Sequence, residues 1–258
     1  LDLPTNDFKN YLGYKAGLLK KAEVFDNNNR ILNRVEHTYL FEHLGESFWV
    51  PSSGSGSYNY KTKLSWPKLI TRESKSYTYN GSTANETGVT ESFTYHANNR
   101  EIDEHVVTMA PGDSKKTKYY YHTGNSIHSK NRISELEKTE TYRGTELLST
   151  SSITYSNTFA GNVSYLPQTI QSAKGANALE TKVKYNKYDE FSNPLEVQQE
   201  DGTKISYIWG YHNTQPVAKL ENIAYDDIPG NLITSIQSAT NSNSPTVTET
   251  TILNALNA

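Results

Sequence analysis

The side chains that most often catalyse reactions or bind metals are scattered along this sequence rather than grouped. The seven histidines match no HExxH pair or other metal-ligand spacing, so we expect structural or solvent-facing roles for them. Cysteine is absent, which excludes disulfides, thiolate metal sites and a cysteine nucleophile. The sequence therefore predicts no catalytic residue, no metal site and no bound cofactor.

Acidic and glycine-rich stretches have the composition of known sites but not their order. The neighbouring carboxylates Asp226 and Asp227 would serve acid–base chemistry only if folding placed such groups at a defined separation across a cleft. The segment from Asp26 to Asn29 lacks the later Gly and Glu of an EF-hand loop, and is typical of a turn. The glycines of residues 54–57 are not followed by the lysine of a phosphate-binding loop.

Three tryptophans are the candidates for a binding function. Aromatic rings exposed on a sheet can stack on sugars, and Trp49, Trp66 and Trp209 are the residues of this type. The competing interpretation is that these rings fill the sheet face or its packing layer, because aromatic side chains dominate core energetics. We favour the packing interpretation from the sequence.

A recurring unit supplies the elements that would position these residues. Each copy has an aromatic residue, a short polar turn with Asn or Gly, and an alternating apolar run that ends near another Tyr. Asn and Gly tolerate the positive φ of tight turns, so each copy predicts a β-hairpin. The copies begin at Phe25-Asp26, at Tyr95 with Asn99, at Tyr142 with Gly144, and at Tyr188-Asp189. In the last copy, Asp201-Gly202 predicts a two-residue hairpin loop between strands at 195–199 and 204–209.

The chain changes character after residue 220. The helical spacing of Ile228, Leu232 and Ile236 predicts a helix over residues 225–239. A second short helix is predicted over residues 248–256.

The domain organisation follows from this change. We predict a hairpin-repeat region at residues 1–220 and a helical tail at residues 221–258. The sequence has no starting Met, and we expect it to be an excised part of a longer protein, with the tail leading towards a downstream region.

The bulk composition favours a strand-rich protein. Tyr contributes 19 of the 258 residues, whereas all hydrophobic residues together make up only 34%. Many Tyr and Thr with few aliphatic residues are typical of sheets that face water on at least one side. The formal net charge of −3 gives no electrostatic footprint for nucleic acid. No apolar stretch is long enough to span a bilayer, so neither nucleic acid nor a membrane span is expected.

The last hairpin unit resembles the Rhs/YD-repeat family. The family pattern is Tyr-Asp, Gly-Asn or Gly-Arg, Leu, then Gly and a closing Tyr. The matching residues are Tyr188, Asp189, Asn193, Leu195, Val197, Gly202 and Tyr207. Ser192 stands where the family usually has Gly, and the three earlier units match more weakly. Over residues 185–220 the sequence is more similar to the large Rhs-like proteins of Bacteroidota than to the enterobacterial ones.

The resemblance implies both a fold and a location. It implies a mainly β protein in which a spiralling antiparallel sheet of hairpin repeats forms part of a shell or barrel. Members of the family use such sheets to enclose a toxin or to build ectodomains. Bacteroidota members are expected to be secreted or carried on the cell surface at the outer membrane, often through type IX secretion.

One departure from the family concerns its aspartyl self-cleavage element, which has an Asp-Pro-x-Gly signature. Asp226-Asp227-Ile228-Pro229-Gly230 has the composition of that signature but not its order. We therefore expect this chain to lie upstream of the family's core, or to belong to a protein without one.

Three functions are compatible with the sequence. The predicted one is a non-enzymatic segment of a β-shell or surface scaffold that encloses or displays a toxin-type cargo. Its partners would be the remainder of the same shell or another protein subunit. The alternative is a cell-surface adhesin or glycan-binding module that uses exposed aromatic residues. The third is part of a carbohydrate-active enzyme whose site is completed by other chain segments.

Overall fold

The computed structural model describes residues 17–49, 60–109, 112–122, 132–159 and 165–241. Within these ranges the chain has thirteen strands and, near the end, one short α-helix. Each strand pairs antiparallel with its neighbours in sequence, so the order of strands in the sheet is the chain order. The prediction of a mainly β, antiparallel hairpin sheet with a short helix near its C-terminal end is confirmed.

The strands differ greatly in length. The first six are β1 (Lys21–Phe25), β2 (Ile31–Trp49), β3 (Tyr60–Asn80), β4 (Thr83–Tyr95), β5 (Ile102–Met109) and β6 (Asp113–Tyr121). The other seven are β7 (Leu136–Arg143), β8 (Glu146–Ser156), β9 (Leu166–Lys174), β10 (Glu180–Tyr188), β11 (Pro194–Gln199), β12 (Lys204–Gly210) and β13 (Gln215–Glu221). A single 3₁₀ turn (Tyr225–Asp227) and helix α1 (Gly230–Asn241) follow.

Two compact units divide the chain, residues 1–118 and residues 119–258. The predicted division into residues 1–220 and 221–258 stays a prediction.

The first unit is a sheet without a packed interior in its described part. None of its described residues is buried, and Leu40 and Leu64 are 57% and 62% exposed. Contacts between neighbouring strands stabilise such a sheet. Examples are the ion pair between Lys75 and Glu86 at 2.9 Å and the edge-on contact of Trp66 with Tyr95. This agrees with a composition that is rich in Tyr and Thr and poor in aliphatic residues.

The second unit has a core where α1 packs on β12. Side chains alternate between the two faces of a strand, which places Ser206 and Ile208 on one face. Both are buried, at 0% and 1% exposure, and Ile208 packs with Ile228 and Ile236. Ser206 Oγ donates a hydrogen bond of 2.9 Å to the carbonyl of Ile223. One sheet face is therefore covered at this end of the chain.

The predicted start of the helix at residue 225 is wrong. Residues Tyr225–Asp227 form only one 3₁₀ turn, and Ile228 is extended, with φ −75° and ψ 126°. The ring of a proline disfavours the α conformation at the residue before it, which here is Ile228. Pro229 therefore prevents an earlier start, and α1 begins at Gly230. The second predicted helix, over residues 248–256, lies outside the described residues.

Candidate functional site

The repeat copy that begins at Tyr188-Asp189, in the second compact unit, folds as a tight turn. The carboxylate of Asp189 closes this turn. Asp189 Oδ1 accepts hydrogen bonds from the backbone N–H groups of Phe191 and Asn193, at 2.9 and 2.8 Å. Its Oδ2 accepts one from Asn193 Nδ2 at 3.0 Å. Ser192 has φ 72°, a conformation that Gly adopts without strain. Asp189 and Asn193 thus hold this turn.

The same turn recurs in the first unit at Asp26. Asp26 Oδ1 accepts hydrogen bonds from the backbone N–H groups of Asn28 and Arg30, both at 2.9 Å. Arg30 Nε donates to Oδ2 at 2.7 Å, in place of the Asn193 amide. Asn29 takes the positive φ, 62°. Phe25, which precedes the aspartate, is 47% exposed, so the turn does not depend on burying this ring.

The other two repeat copies, which begin at Tyr95 and Tyr142, form turns of other kinds. In the unit of Tyr95, Asn99 Oδ1 accepts a hydrogen bond from the N–H of Glu101 at 3.1 Å, and Arg100 takes a φ of 61°. Gly144 has φ 58° in the two-residue connection between β7 and β8. In each unit a residue with positive φ reverses the chain.

The loop at Asp201 is longer than predicted. The N–H of Gln199 donates to the carbonyl of Thr203 at 2.9 Å, and the N–H of Gly202 donates to the carbonyl of Gln199 at 3.0 Å. These bonds enclose three residues, so the prediction of a two-residue loop is wrong. A three-residue loop needs one left-handed residue at its end, and Gly202 supplies it with φ 88°. Asp201 accepts the N–H of Thr203 at 2.9 Å and fixes this geometry.

Aromatic side chains continue the strand pairing where the backbone ladder stops. Five aromatic residues near strand ends each donate a hydrogen bond to a backbone carbonyl of the preceding strand; we call them the closing aromatics. The bonds run from Tyr79 to Ile31, Tyr95 to Leu69, Tyr155 to Leu136, Tyr188 to Pro167 and Trp209 to Pro194, at 2.8–3.0 Å. Each acceptor lies two residues before the first residue of its strand that pairs with the strand of the donor.

Prolines accompany the closing aromatics of the second unit. Tyr155 lies opposite Pro167, Tyr188 opposite Pro194, and Trp209 opposite Pro216. Proline has no N–H for a sheet ladder. The proline carbonyl is still an acceptor. The carbonyl of Pro167 accepts the hydrogen bond of Tyr188, and that of Pro194 accepts the hydrogen bond of Trp209.

The phenols of Tyr155 and Tyr188 are donors at neutral pH. Burial raises the pKa of Tyr155 to about 12, together with the nearby charge of Glu135. Burial also raises the pKa of Tyr188 well above its ordinary value. Tyr95 and Tyr188, which begin two of the predicted repeat copies, are closing aromatics. At the end of β12 the role falls to Trp209 rather than to Tyr207, which pairs with Lys219 through the backbone.

We expect Tyr188→Phe to lower the free energy of unfolding by about 1 kcal/mol, because the substitution removes the hydrogen bond to Pro167 and keeps the ring. Tyr185→Phe is the matched control, since its ring stacks on Tyr188 at 5.6 Å while its hydroxyl has no partner among the described residues. Urea denaturation of both variants checks the prediction. Equal losses in the two variants would contradict it.

Glu140 lies at the centre of a small polar cluster on β7. Its carboxylate accepts hydrogen bonds from the hydroxyls of Tyr120 and Tyr142, at 2.7 and 2.6 Å, and from Lys138 Nζ at 2.8 Å. Burial opposes ionisation, but these three donors outweigh it and lower the pKa of Glu140 to about 2. Tyr142, one of the predicted motif residues, therefore acts here through its hydroxyl.

The Glu140 cluster makes stability depend on pH. The pKa is lower in the folded state than the ordinary 4.5, so the contribution is complete above about 4.5 and is lost as the pH falls towards 2. We expect Glu140→Gln to cost roughly 2 kcal/mol at pH 7 and almost nothing near pH 2. The control is Glu137→Gln, at an exposed position of the same strand. Denaturation curves at pH 7 and near pH 2 measure the free energy of unfolding. An equal loss of this free energy in Glu140→Gln at both pH values would refute the prediction.

Glu196 is a buried carboxylate that the sequence did not single out. It is 3% exposed and accepts hydrogen bonds from Asn186 Nδ2 at 2.9 Å and from the backbone N–H of Tyr225 at 2.8 Å. Lys204 Nζ lies 3.3 Å from the same carboxylate. Burial opposes ionisation, but these partners outweigh it and lower the pKa of Glu196. Its position next to Leu195, one of the predicted repeat-motif residues, is the sequence signal for it.

The three candidate tryptophans lie on three different strands, β2, β3 and β12. Trp66 contacts Tyr95 edge-on at 5.2 Å, and Lys68 Nζ lies 4.8 Å from the Trp66 ring centroid. The indole N–H of Trp209 is bonded to Pro194. Trp49 ends β2 and pairs with Tyr60 through the backbone. Their stacking on a glycan stays a prediction.

A groove of about 570 Å³ runs beside β10 in the second unit. Its walls come from β9, β10, the start of β11, the residues just after β8, and the 3₁₀ turn; we call it the β10 groove. Leu195, one of the motif residues, is part of the wall. The volume is within the range of small-molecule binding sites.

Two further surveys concern only the described part of the chain. No three of its His, Asp and Glu side chains are grouped so that they could hold a metal ion. No helix in it has both the length and the apolar character needed to cross a bilayer.

Comparisons with known proteins give only distant likenesses. No protein-family model matches the chain, and no curated protein matches it. A porin-like protein from Bacteroides uniformis aligns over 78% of this chain and 87% of its own, with 10% identity and a TM-score of 0.26. The Tc holotoxin pore of Photorhabdus luminescens aligns over 78% of this chain, with 12% identity and a TM-score of 0.29. The alignment spans 10% of that second protein's chain.

Proposed function

We propose that this chain is a non-enzymatic structural segment of a large exported protein of the Rhs/YD-repeat type. It would form part of a β-sheet wall or surface scaffold that encloses or displays a toxin-type cargo. The observation that carries the proposal is the recurrence of the closing aromatics, which form the same aromatic-to-carbonyl bond at five strand ends. Two of the five, Tyr95 and Tyr188, are residues of the predicted repeat motif.

The closing aromatics and the aspartate turns are local devices that suit an extended wall. Each strand joins the strand before it through one backbone ladder and, at five places, one closing aromatic, so further strands can be added without changing the earlier ones. Each such hydrogen bond contributes about 1 kcal/mol, and the contributions add along the array.

The ends of the sheet indicate the kind of partner. In the described sheet, β1 and β13 each pair with one strand only. Strands in this position carry backbone N–H and C=O groups that can pair with a further strand. The partner we propose is the remainder of the same wall or another subunit.

Deletion of residues 165–221 from the complete gene product tests the proposed function. We expect the loss of this hairpin array to change the assembly size measured by light scattering, and to make the rest of the protein more sensitive to protease. Unchanged assembly and unchanged protease resistance would contradict a scaffold role. Enzymatic activity of the chain would also contradict a purely structural role, if single substitutions abolished that activity without lowering the melting temperature.

A further inference from the structure

The hairpin between β3 and β4 carries the one Asn-Gly dipeptide of the sequence at its tip. Asn80 ends β3 and pairs with Thr83, the first residue of β4, so the loop consists of Gly81 and Ser82. Gly81 has φ 63°, as the first loop residue of a type II′ turn does. Asn80, Gly81 and Ser82 are all exposed, so water reaches the backbone of this loop.

Two adjacent groups of this loop have no hydrogen bond to the described part of the chain. They are the side-chain amide of Asn80 and the backbone N–H of Gly81. Gly81 is contacted through its carbonyl instead, which accepts a hydrogen bond from Arg30 Nη1 at 3.3 Å. No atom lies within 4 Å of the position of a Cβ at Gly81, and the residue has no side chain of its own. The Gly81 nitrogen and the Asn80 amide carbon are therefore unobstructed.

These two groups can react with each other within the chain. Attack of the Gly81 nitrogen on Asn80 Cγ closes a five-membered ring, and intramolecular reactions of this kind are strongly favoured by proximity. The N–Cγ bond forms, the bond from Cγ to Nδ2 breaks, and ammonia leaves with the proton of the Gly81 N–H. One water molecule then opens the succinimide at either carbonyl. Opening at Cγ gives aspartate, and opening at the main-chain carbon gives isoaspartate.

We propose that Asn80 is a site of spontaneous deamidation in the folded protein, through a succinimide formed with Gly81. Isoaspartate routes the main chain through Cβ and so inserts one more carbon between Asn80 and Gly81. A two-residue loop of that length no longer matches the pairing of Asn80 with Thr83. The product carboxylate also places a negative charge next to the residue whose carbonyl Arg30 contacts. The modification thus alters the tip of this hairpin, and the inference is independent of the scaffold role.

Incubation of the folded chain in mildly alkaline buffer, followed by peptide mass spectrometry and labelling with an isoaspartyl methyltransferase, tests the proposal. We expect isoaspartate to accumulate at Asn80 several times faster than at Asn85. Asn85 is the matched control, because it is also exposed but is followed by Glu86, whose side chain hinders the attack. Asn193 should give no succinimide, since Pro194 has no N–H. In Asn80→Gln the label at this position should be lost, because the ring would need six members.

A second sample, unfolded in guanidinium chloride, separates the effect of the fold from that of the dipeptide. We expect Asn80 to react in the folded chain at a rate within severalfold of the unfolded one. Conversion of Asn80 only in the unfolded sample would overturn the proposal, and so would equal rates at Asn80 and Asn85. Aspartate without isoaspartate would mean direct hydrolysis and would also overturn it. None of these outcomes bears on the deletion experiment, so the two proposals fail separately.

Discussion

Replacement of Gly210 by Ala is expected to detach α1 from β12 and to destabilise the second unit by about 3 kcal/mol. A Cβ at Gly210 would lie 2.3 Å from Thr240 Oγ1 and 2.9 Å from both Thr240 Cβ and Val217 Cγ1. These distances are too short for any side chain, so the helix or β13 must move. Urea denaturation followed by circular dichroism measures the loss.

Gly230→Ala is the matched control for Gly210→Ala. No atom lies within 4 Å of a Cβ placed at Gly230, which begins α1. Alanine favours helix over glycine, so this variant is expected to be as stable as the original or slightly more so. If Gly210→Ala were equally well tolerated, the close approach of helix and sheet would not be required.

The same helix end supports a strained turn after Gly210. Tyr211, His212 and Asn213 all have positive φ, between 50° and 61°, which costs roughly 1–2 kcal/mol for each residue that is not glycine. Side chains of α1 accept the free backbone donors of this turn: Thr240 accepts the N–H of Tyr211, and Asn241 accepts that of His212. Displacement of α1 would therefore also release the turn.

The second large effect is expected for Glu196→Ala, at about 3 kcal/mol. The substitution leaves the backbone N–H of Tyr225 and the amide of Asn186 without their acceptor, and Lys204 without its carboxylate. We expect the 3₁₀ turn that contains Tyr225 to separate from β11. Hydrogen exchange at the Tyr225 amide, together with denaturation curves, measures both effects.

Glu221→Ala is the control for Glu196→Ala. Glu221 also binds a lysine, Lys219, at 2.6 Å, but its side chain is 60% exposed. Ion pairs at such positions contribute little, so a change below about 0.5 kcal/mol is expected. Similar losses in the two variants would mean that burial of Glu196 is unimportant for stability.

The strand pattern was predictable because it depends on neighbours in sequence. Alternating residues and turn residues fix where a hairpin reverses, as at Asp26 and Asp189, whose carboxylates bind backbone groups two and four residues later. Loop length was less predictable. At Asp201-Gly202 both two-residue and three-residue loops are compatible with the sequence, and the hydrogen bonds of the flanking strands select the longer one.

By itself, the sequence determined the fold class, the order of the hairpins and the absence of cysteine chemistry. These properties follow from local preferences and composition. Only the tertiary structure showed the closing aromatics, the buried Glu196 and the β10 groove. The closing aromatics and their acceptors are separated by 15 to 48 residues, as in the bonds from Trp209 to Pro194 and from Tyr79 to Ile31. Strand register and bulges decide such contacts, because a shift of one residue turns every side chain to the other face.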